Sequence, residues 1–234
     1  LKKELVLQNP LRFLGHETDE VLPEGGFGAV LARAGVGKTA LLVQLALSNL
    51  LQNKNVLHIS LDDPVQKVSL WYKEVFRHLT KSYDVKKINQ LWESLLPHRF
   101  IMTFKVDGFS VPKLEERMAD LKEQNIFAPQ IVFIDGFPFH ETVKMPLSDF
   151  KGLAKDHSLQ VWFTVRTHRH EKPGPNGMPA PVLEVSDLFD VVIQLQPEGK
   201  EIHVKTVKGG QTYSARPSLL LDPSPMLKPN NQTR

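Results

Sequence analysis

The sequence predicts an α/β fold, a mostly parallel central sheet flanked by helices with antiparallel strands at its C-terminal edge. Three observations carry this. Short apolar runs alternate with stretches of helical period up to about residue 165, the pattern of a parallel sheet covered on both faces. The run from Phe27 to Ala32 passes through a tight glycine loop directly into an apolar helix. The run from Gln130 to Asp135 is apolar from Ile131 to Ile134 and ends on a carboxylate, as a central parallel strand does.

The elements follow in order. Residues 1–24 are a mixed lead-in broken by Pro10, Gly15 and Pro23, with Leu11, Phe13 and Leu14 placed to pack on the core edge. Glu24-Gly25-Gly26 is a turn. Thr39 to about Gln52 reads as a helix whose apolar residues cover most of its circumference, so it is expected to be buried. Val56 to Leu61 is the second strand. Asp63 is expected to cap the next helix with Pro64 as its first residue. Val65, Val68, Tyr72, Val75, Phe76 and Leu79 then form one helical face. Further helices are expected over Asp84–Leu95, from near Pro112 with Ser110 as cap, and over Phe150–His157. Further strands are expected at Arg99–Phe104, Leu159–Val165, Asp190–Leu195, Glu201–Val207, Thr212–Ala215 and Leu219–Leu221, with turns at Pro197-Glu198-Gly199 and Gly209-Gly210. The reading is one domain over 1–222 and a flexible tail over 223–234.

The totals set limits. At 234 residues and 41% hydrophobic content the chain can build one sizeable core. A formal charge of +3 is mildly basic and compatible with a polyanionic partner. Zero cysteines excludes disulfides, thiol catalysis and thiolate-bound zinc, and fits a cytoplasmic location. No apolar run approaches the roughly 20 residues of a membrane span. The opening Leu1-Lys2-Lys3-Glu4 has no Met and no signal-peptide core, which suggests a trimmed chain or a fragment.

Two motifs carry chemistry. Arg33, Ala34, Gly35, Val36, Gly37, Lys38, Thr39 and Ala40 form a small-residue loop, a lysine, a hydroxyl and a helix start. Main-chain N–H groups of such a loop can surround phosphate oxygens, and the positive helix end faces the same anion. Lys38 is placed to reach β- and γ-phosphates, and the Thr39 hydroxyl to bind Mg²⁺. The strict pattern opens with glycine where this chain has Ala32. Asp135, at the carboxyl edge where open α/β sheets bind ligands, is placed to accept a hydrogen bond from Thr39 or from a Mg²⁺-bound water. ATP and Mg²⁺ are the ligands expected.

These residues resemble a family. Residues Ala32 to Ala40 are similar to the P-loop of RecA-like ATPases, closest to the replicative-helicase (DnaB) branch, which also begins with alanine. Val56-Leu57-His58-Ile59-Ser60-Leu61-Asp62-Asp63-Pro64 is similar to that branch's strand ending in S-L-E-M-P, whose glutamate orients the attacking water; KaiC- and RadA-like proteins have an acidic pair there. The resemblance implies that role for Asp62, with Asp63 as a neighbour able to substitute. Lys205-Thr206-Val207-Lys208-Gly209 resembles the family's K-x-R-x-G hairpin, which implies that Lys205 and Lys208 reach the γ-phosphate of a neighbouring subunit in a ring or filament. Two departures stand out. Asp62 is one methylene shorter than glutamate, and Lys208 lacks the two-pronged fork of arginine. An arginine finger is worth roughly 10³–10⁵ in rate, so the resemblance implies a slow, switch-like ATPase. The helicase family's N-terminal domain is absent from this sequence, so helicase activity is not carried over.

Other readings stay open at this stage. Asp135-Gly136-Phe137-Pro138 resembles the D-G-F-P-R motif of adenylate kinases, with Phe139 in the arginine's place. A GTPase lacks support, since no N-K-x-D occurs. A nucleotide-gated interaction module without turnover is a third reading. The polar stretch 167–181, with His168, Arg169, His170 and Lys172, could contact single-stranded DNA, bind a metal, or be a solvated loop. A protein partner is an equal expectation, and no membrane contact is.

Overall fold

The computed structural model describes residues 1–7, 9–13, 21–140, 142–168, 173–174, 177–199, 201–209 and 219–221. Two short helices, α1 (Lys2–Leu7) and α2 (Pro10–Phe13), precede the first strand, β1 (Phe27–Ala32). There follow α3 (Lys38–Leu50), β2 (Val56–Ser60), α4 (Val65–Leu79), α5 (Val85–Leu95), β3 (Arg99–Thr103), α6 (Val111–Glu123), β4 (Ile131–Asp135), α7 (Lys144–Asp156) and β5 (Gln160–Arg166). A four-residue helix, α8 (Ala180–Leu183), leads to β6 (Val191–Glu198), β7 (Glu201–Lys208) and β8 (Leu219–Leu221).

The eight strands form one sheet in the order β3-β2-β4-β5-β1-β6-β7-β8. The first six run parallel, and β7 and β8 pair antiparallel at the edge. The expected hairpin edge is therefore present, with one refinement: β6 itself runs parallel to β1. It also extends to Glu198, past the expected end at Leu195, because β7 still pairs there after β1 has stopped at Gln194. Pro197 fits in that stretch, where only one side is paired.

Strand alternation sends side chains to two cores. Val30, Val56, Phe133 and Trp162 meet α3 and α4 on one face, and Leu5, Leu11 and Leu22 of the lead-in join them. Phe27, Leu57, Val132 and Phe163 meet α6 and α7 on the other. The face of α4 read from the sequence is real, with Val68, Tyr72, Val75 and Phe76 buried.

Some helix starts differ from expectation. Asp63 does not cap α4. The N-cap is Pro64, extended at ψ 159° and making no side-chain cap bond, and the Asp63 carboxylate accepts from Lys67 Nζ at 2.7 Å instead. The helix α7 begins at Lys144, six residues before Phe150, because Pro146 lies in the first turn, where its missing N–H costs nothing. Leu147, Phe150 and Ala154 then share its buried face. Ser110 caps α6 as expected, accepting from the main-chain N–H of Lys113, and Asp84, expected within its helix, is the cap of α5 and accepts from that of Lys87. Leu14, the strand Thr212–Ala215 and the tail 223–234 lie outside the described residues.

Candidate functional site

The parallel strands bring their carboxyl ends to one edge, where Ala32 is level with Arg166 and Ser60 with Asp135. The loop between β1 and α3 turns at this edge on two glycines of positive φ, Gly35 at 75° and Gly37 at 102°. A Cβ on Gly35 would meet nothing within 4 Å, so glycine serves the backbone turn there rather than close packing. Gly37 is the N-cap of α3, has no side chain to cap it, and no acidic residue occupies the first turn. Among the described residues the first N–H groups of α3 thus lack a side-chain cap, the condition for an anion site at a helix start. Lys38 Nζ folds back and donates to the carbonyls of Ala32 and Arg33, both at 3.1 Å. Burial pushes its pKa down, Asp135 opposes this, and Arg166 adds to the lowering.

Asp135 is the hub. Thr39 Oγ1 donates to its Oδ2 at 2.7 Å, and Thr164 Oγ1 donates to its Oδ1 at 2.6 Å. The Gly136 N–H donates in turn to Thr164 Oγ1 at 3.1 Å. Since β5 lies between β1 and β4, Thr164 fills the one-strand gap between the loop's helix and the acidic strand end. Gly136 has φ 86°, and a Cβ there would lie 2.6 Å from Asp62 Oδ2. Its bare backbone lets the Asp62 carboxylate sit against the end of β4. Burial raises the Asp62 pKa, Asp135 and Asp63 push the same way, and Arg166 and Lys38 oppose them. A carboxylate made more basic in this way is a better acceptor of a proton or a water hydrogen.

These groups line one cleft of about 470 Å³ that includes Ala34, Lys38, Thr39, Asp62, Asp63 and Asp135. Of the other loop residues, Val36 is buried, and Arg33 lines a neighbouring cavity with Thr167 and Gln196. His168 borders both cavities; Arg169, His170 and Lys172 lie outside the described residues. Lys205 and Lys208 do not line their own chain's cleft. Lys205 Nζ donates to Gln196 Oε1 at 2.6 Å, and Lys208 Nζ to the Ser186 carbonyl at 2.7 Å. Phe139 stacks edge-on to Phe137 at 5.5 Å and Phe163 at 6.1 Å, so the adenylate-kinase-like motif presents a ring where that family has a cation.

Thr164 and Arg166, not among the site residues expected from the sequence, both line the cleft. Arg166 was detectable: it ends an apolar strand as Asp135 does. Thr164 carries no such sign, being one hydroxyl within a buried strand.

The residues present suit a magnesium nucleotide. The loop offers amides and an ammonium for phosphates, and Thr39 and Asp135 offer oxygens for a hard cation. No group of three or more acidic or histidine side chains able to hold a metal occurs among the described residues. Mg²⁺ usually takes one or two carboxylates and completes its shell with phosphate oxygens and water.

A parallel sheet with a glycine loop, lysine and hydroxyl at its carboxyl edge, facing a strand-end aspartate, defines a P-loop ATPase with the RecA-like arrangement of strands. The sequence profile of a family described as an AAA domain matches residues 7–139. The match covers more than half of the chain, and the chain belongs to this family of P-loop ATPases. No curated protein matches the chain. Among the described residues no helix is long and apolar enough to cross a membrane.

Proposed function

We propose that the chain binds ATP with Mg²⁺ across residues 33–40 and hydrolyses it slowly, as a regulatory or nucleic-acid-associated ATPase of the RecA-like kind. The observation that carries this is the Thr39–Asp135 bond, which joins the helix start to the strand-end carboxylate within one cleft. Bound Mg²⁺ would supply positive charge against the phosphate oxygens.

The chain's own residues do the rest. Main-chain amides of residues 35–39 and the Lys38 ammonium hold the phosphates, the lysine exchanging its two carbonyl bonds for phosphate oxygens. Thr39 and Asp135 hold the metal. Asp62, more basic than an ordinary aspartate, accepts a hydrogen bond from a water and aligns it in line with the γ-phosphorus. The water oxygen–phosphorus bond forms, the bond to the bridging β–γ oxygen breaks, and the water's proton passes to Asp62 or a phosphate oxygen. Arg166, exposed in the cleft lining, adds a fixed positive charge to the cleft.

We further propose that Lys205 and Lys208 act across chains in a homo-oligomer, since neither lines its own cleft. A second reading, a nucleotide-gated interaction module without turnover, is favoured by the Lys208–Ser186 bond, which keeps that cation at home. Phosphate release at saturating ATP separates the two. Its dependence on single-stranded DNA tests a nucleic-acid role.

Lys38→Ala tests the proposal. ATP affinity or phosphate release should fall by roughly 10²–10³-fold, with the melting temperature little changed. A variant binding and turning over ATP like the parent would remove the assignment.

A further inference from the structure

A second cavity, of about 450 Å³, lies between α4 and α5, away from the P-loop cleft. Its floor is apolar, formed by Phe76, Ile88 and Trp92, and Val85 beside them is 69% exposed. Its rim is cationic, with Lys73, Arg77 and Lys81 along the α4 side. Residues 65–95 carry six lysines and arginines (67, 73, 77, 81, 86 and 87), of which Lys67 pairs with Asp63 and Arg77 with Glu74, against three carboxylates, Glu74, Asp84 and Glu93. Two of those three are committed. Glu74 takes Arg77 at 3.2 Å, and Asp84 caps α5. Lys73 and Lys81 have no ion-pair partner among the described residues.

We infer that this groove docks an acidic segment of a partner protein that inserts a leucine- or phenylalanine-sized side chain. The charge excess on the rim selects carboxylates, and the floor selects an apolar side chain. Nucleic acid fits less well. The indole of Trp92 is already engaged by Phe76 at 5.0 Å and by the Arg99 guanidinium at 5.4 Å, so it is not a free platform for a base. The aliphatic Val85 and Ile88 offer shape to a side chain, and Tyr83 is the remaining ring in the lining. This surface does not depend on the ATPase reading.

The test titrates the full chain with the amidated peptide Glu-Glu-Asp-Leu-Phe-Glu-Glu, following heat or Trp92 fluorescence. Two control peptides replace the apolar pair by alanines, or every acid by lysine. The protein variant is Lys73→Glu with Lys81→Glu, two exposed positions. Saturable binding is expected, about tenfold or more weaker for each control and for the double variant, and weaker again in high salt. Three results would overturn the proposal. One is no binding, or equal binding by all three peptides. Another is a single-stranded oligonucleotide that binds in the peptide's stead and is lost in the double variant. The third is self-association of the parent that the double variant abolishes.

Discussion

His58 lies wholly buried in the middle of β2, with Nδ1 3.1 Å from the Tyr72 hydroxyl and no hydrogen-bond partner for Nε2 among the described residues. Burial lowers its pKa from 6.5 to about 4; Asp135 pulls the other way and Arg99 helps the lowering. The unfolded chain therefore binds a proton below pH 6.5 that the folded chain refuses until about pH 4. Stability contributed by the neutral ring is intact above pH 6.5 and drains away as pH falls through this window, by roughly 2 kcal/mol near pH 5. Urea unfolding near pH 7.5 and near pH 5 should show a larger loss for the parent than for His58→Gln. Equal losses would contradict the assignment. Residue by residue, the sequence disclosed what depends on chain order. Lys38 and Thr39 follow a glycine loop, Asp62 and Asp135 end apolar runs, and all four meet in the cleft. It did not disclose Thr164, whose role exists only because β5 is laid between β1 and β4.

Elements were legible where period and punctuation agreed. β1 and β4 are nearly unbroken apolar runs, β2 and β5 are mostly apolar, and α4 has a clear buried face, whereas in α5 Leu95 alone is buried. The start of α7 was hidden because Pro146 reads as a break, although a first turn tolerates it. The pairing of β1 with β5 rests on a contact the sequence gives no sign of. Gly28 is level with Trp162, and a Cβ there would lie 2.5 Å from the indole. Trp162 is itself 2% exposed and has little room to move. Gly28→Ala should therefore destabilise the protein by about 1–3 kcal/mol through overpacking, measured as a lowered urea midpoint. An unchanged midpoint would show that this face of the sheet is looser than described.

At the scale of the molecule, six parallel strands gather the ligand-facing ends at one edge; on β7, Lys205 is level with Gln194 near that edge, and Lys208 is level with Val192, toward the opposite edge. Topology of this kind is legible from the alternation of strands and helices, while the sheet order is not, because nothing local says which strands become neighbours. If Lys205 and Lys208 act across chains, two inactive variants should rescue each other. Lys38→Ala mixed with Lys208→Ala should recover phosphate release that neither shows alone; no recovery would confine the hairpin to its own chain. The central claim concerns where the triphosphate sits, and a crystal structure with a non-hydrolysable ATP analogue and Mg²⁺ tests it most directly. The account predicts phosphate oxygens within hydrogen-bond reach of the amides of residues 35–39 and of Lys38 Nζ, with the metal between Thr39 and Asp135. An analogue bound elsewhere, with Lys38 still on the carbonyls of Ala32 and Arg33, would contradict it.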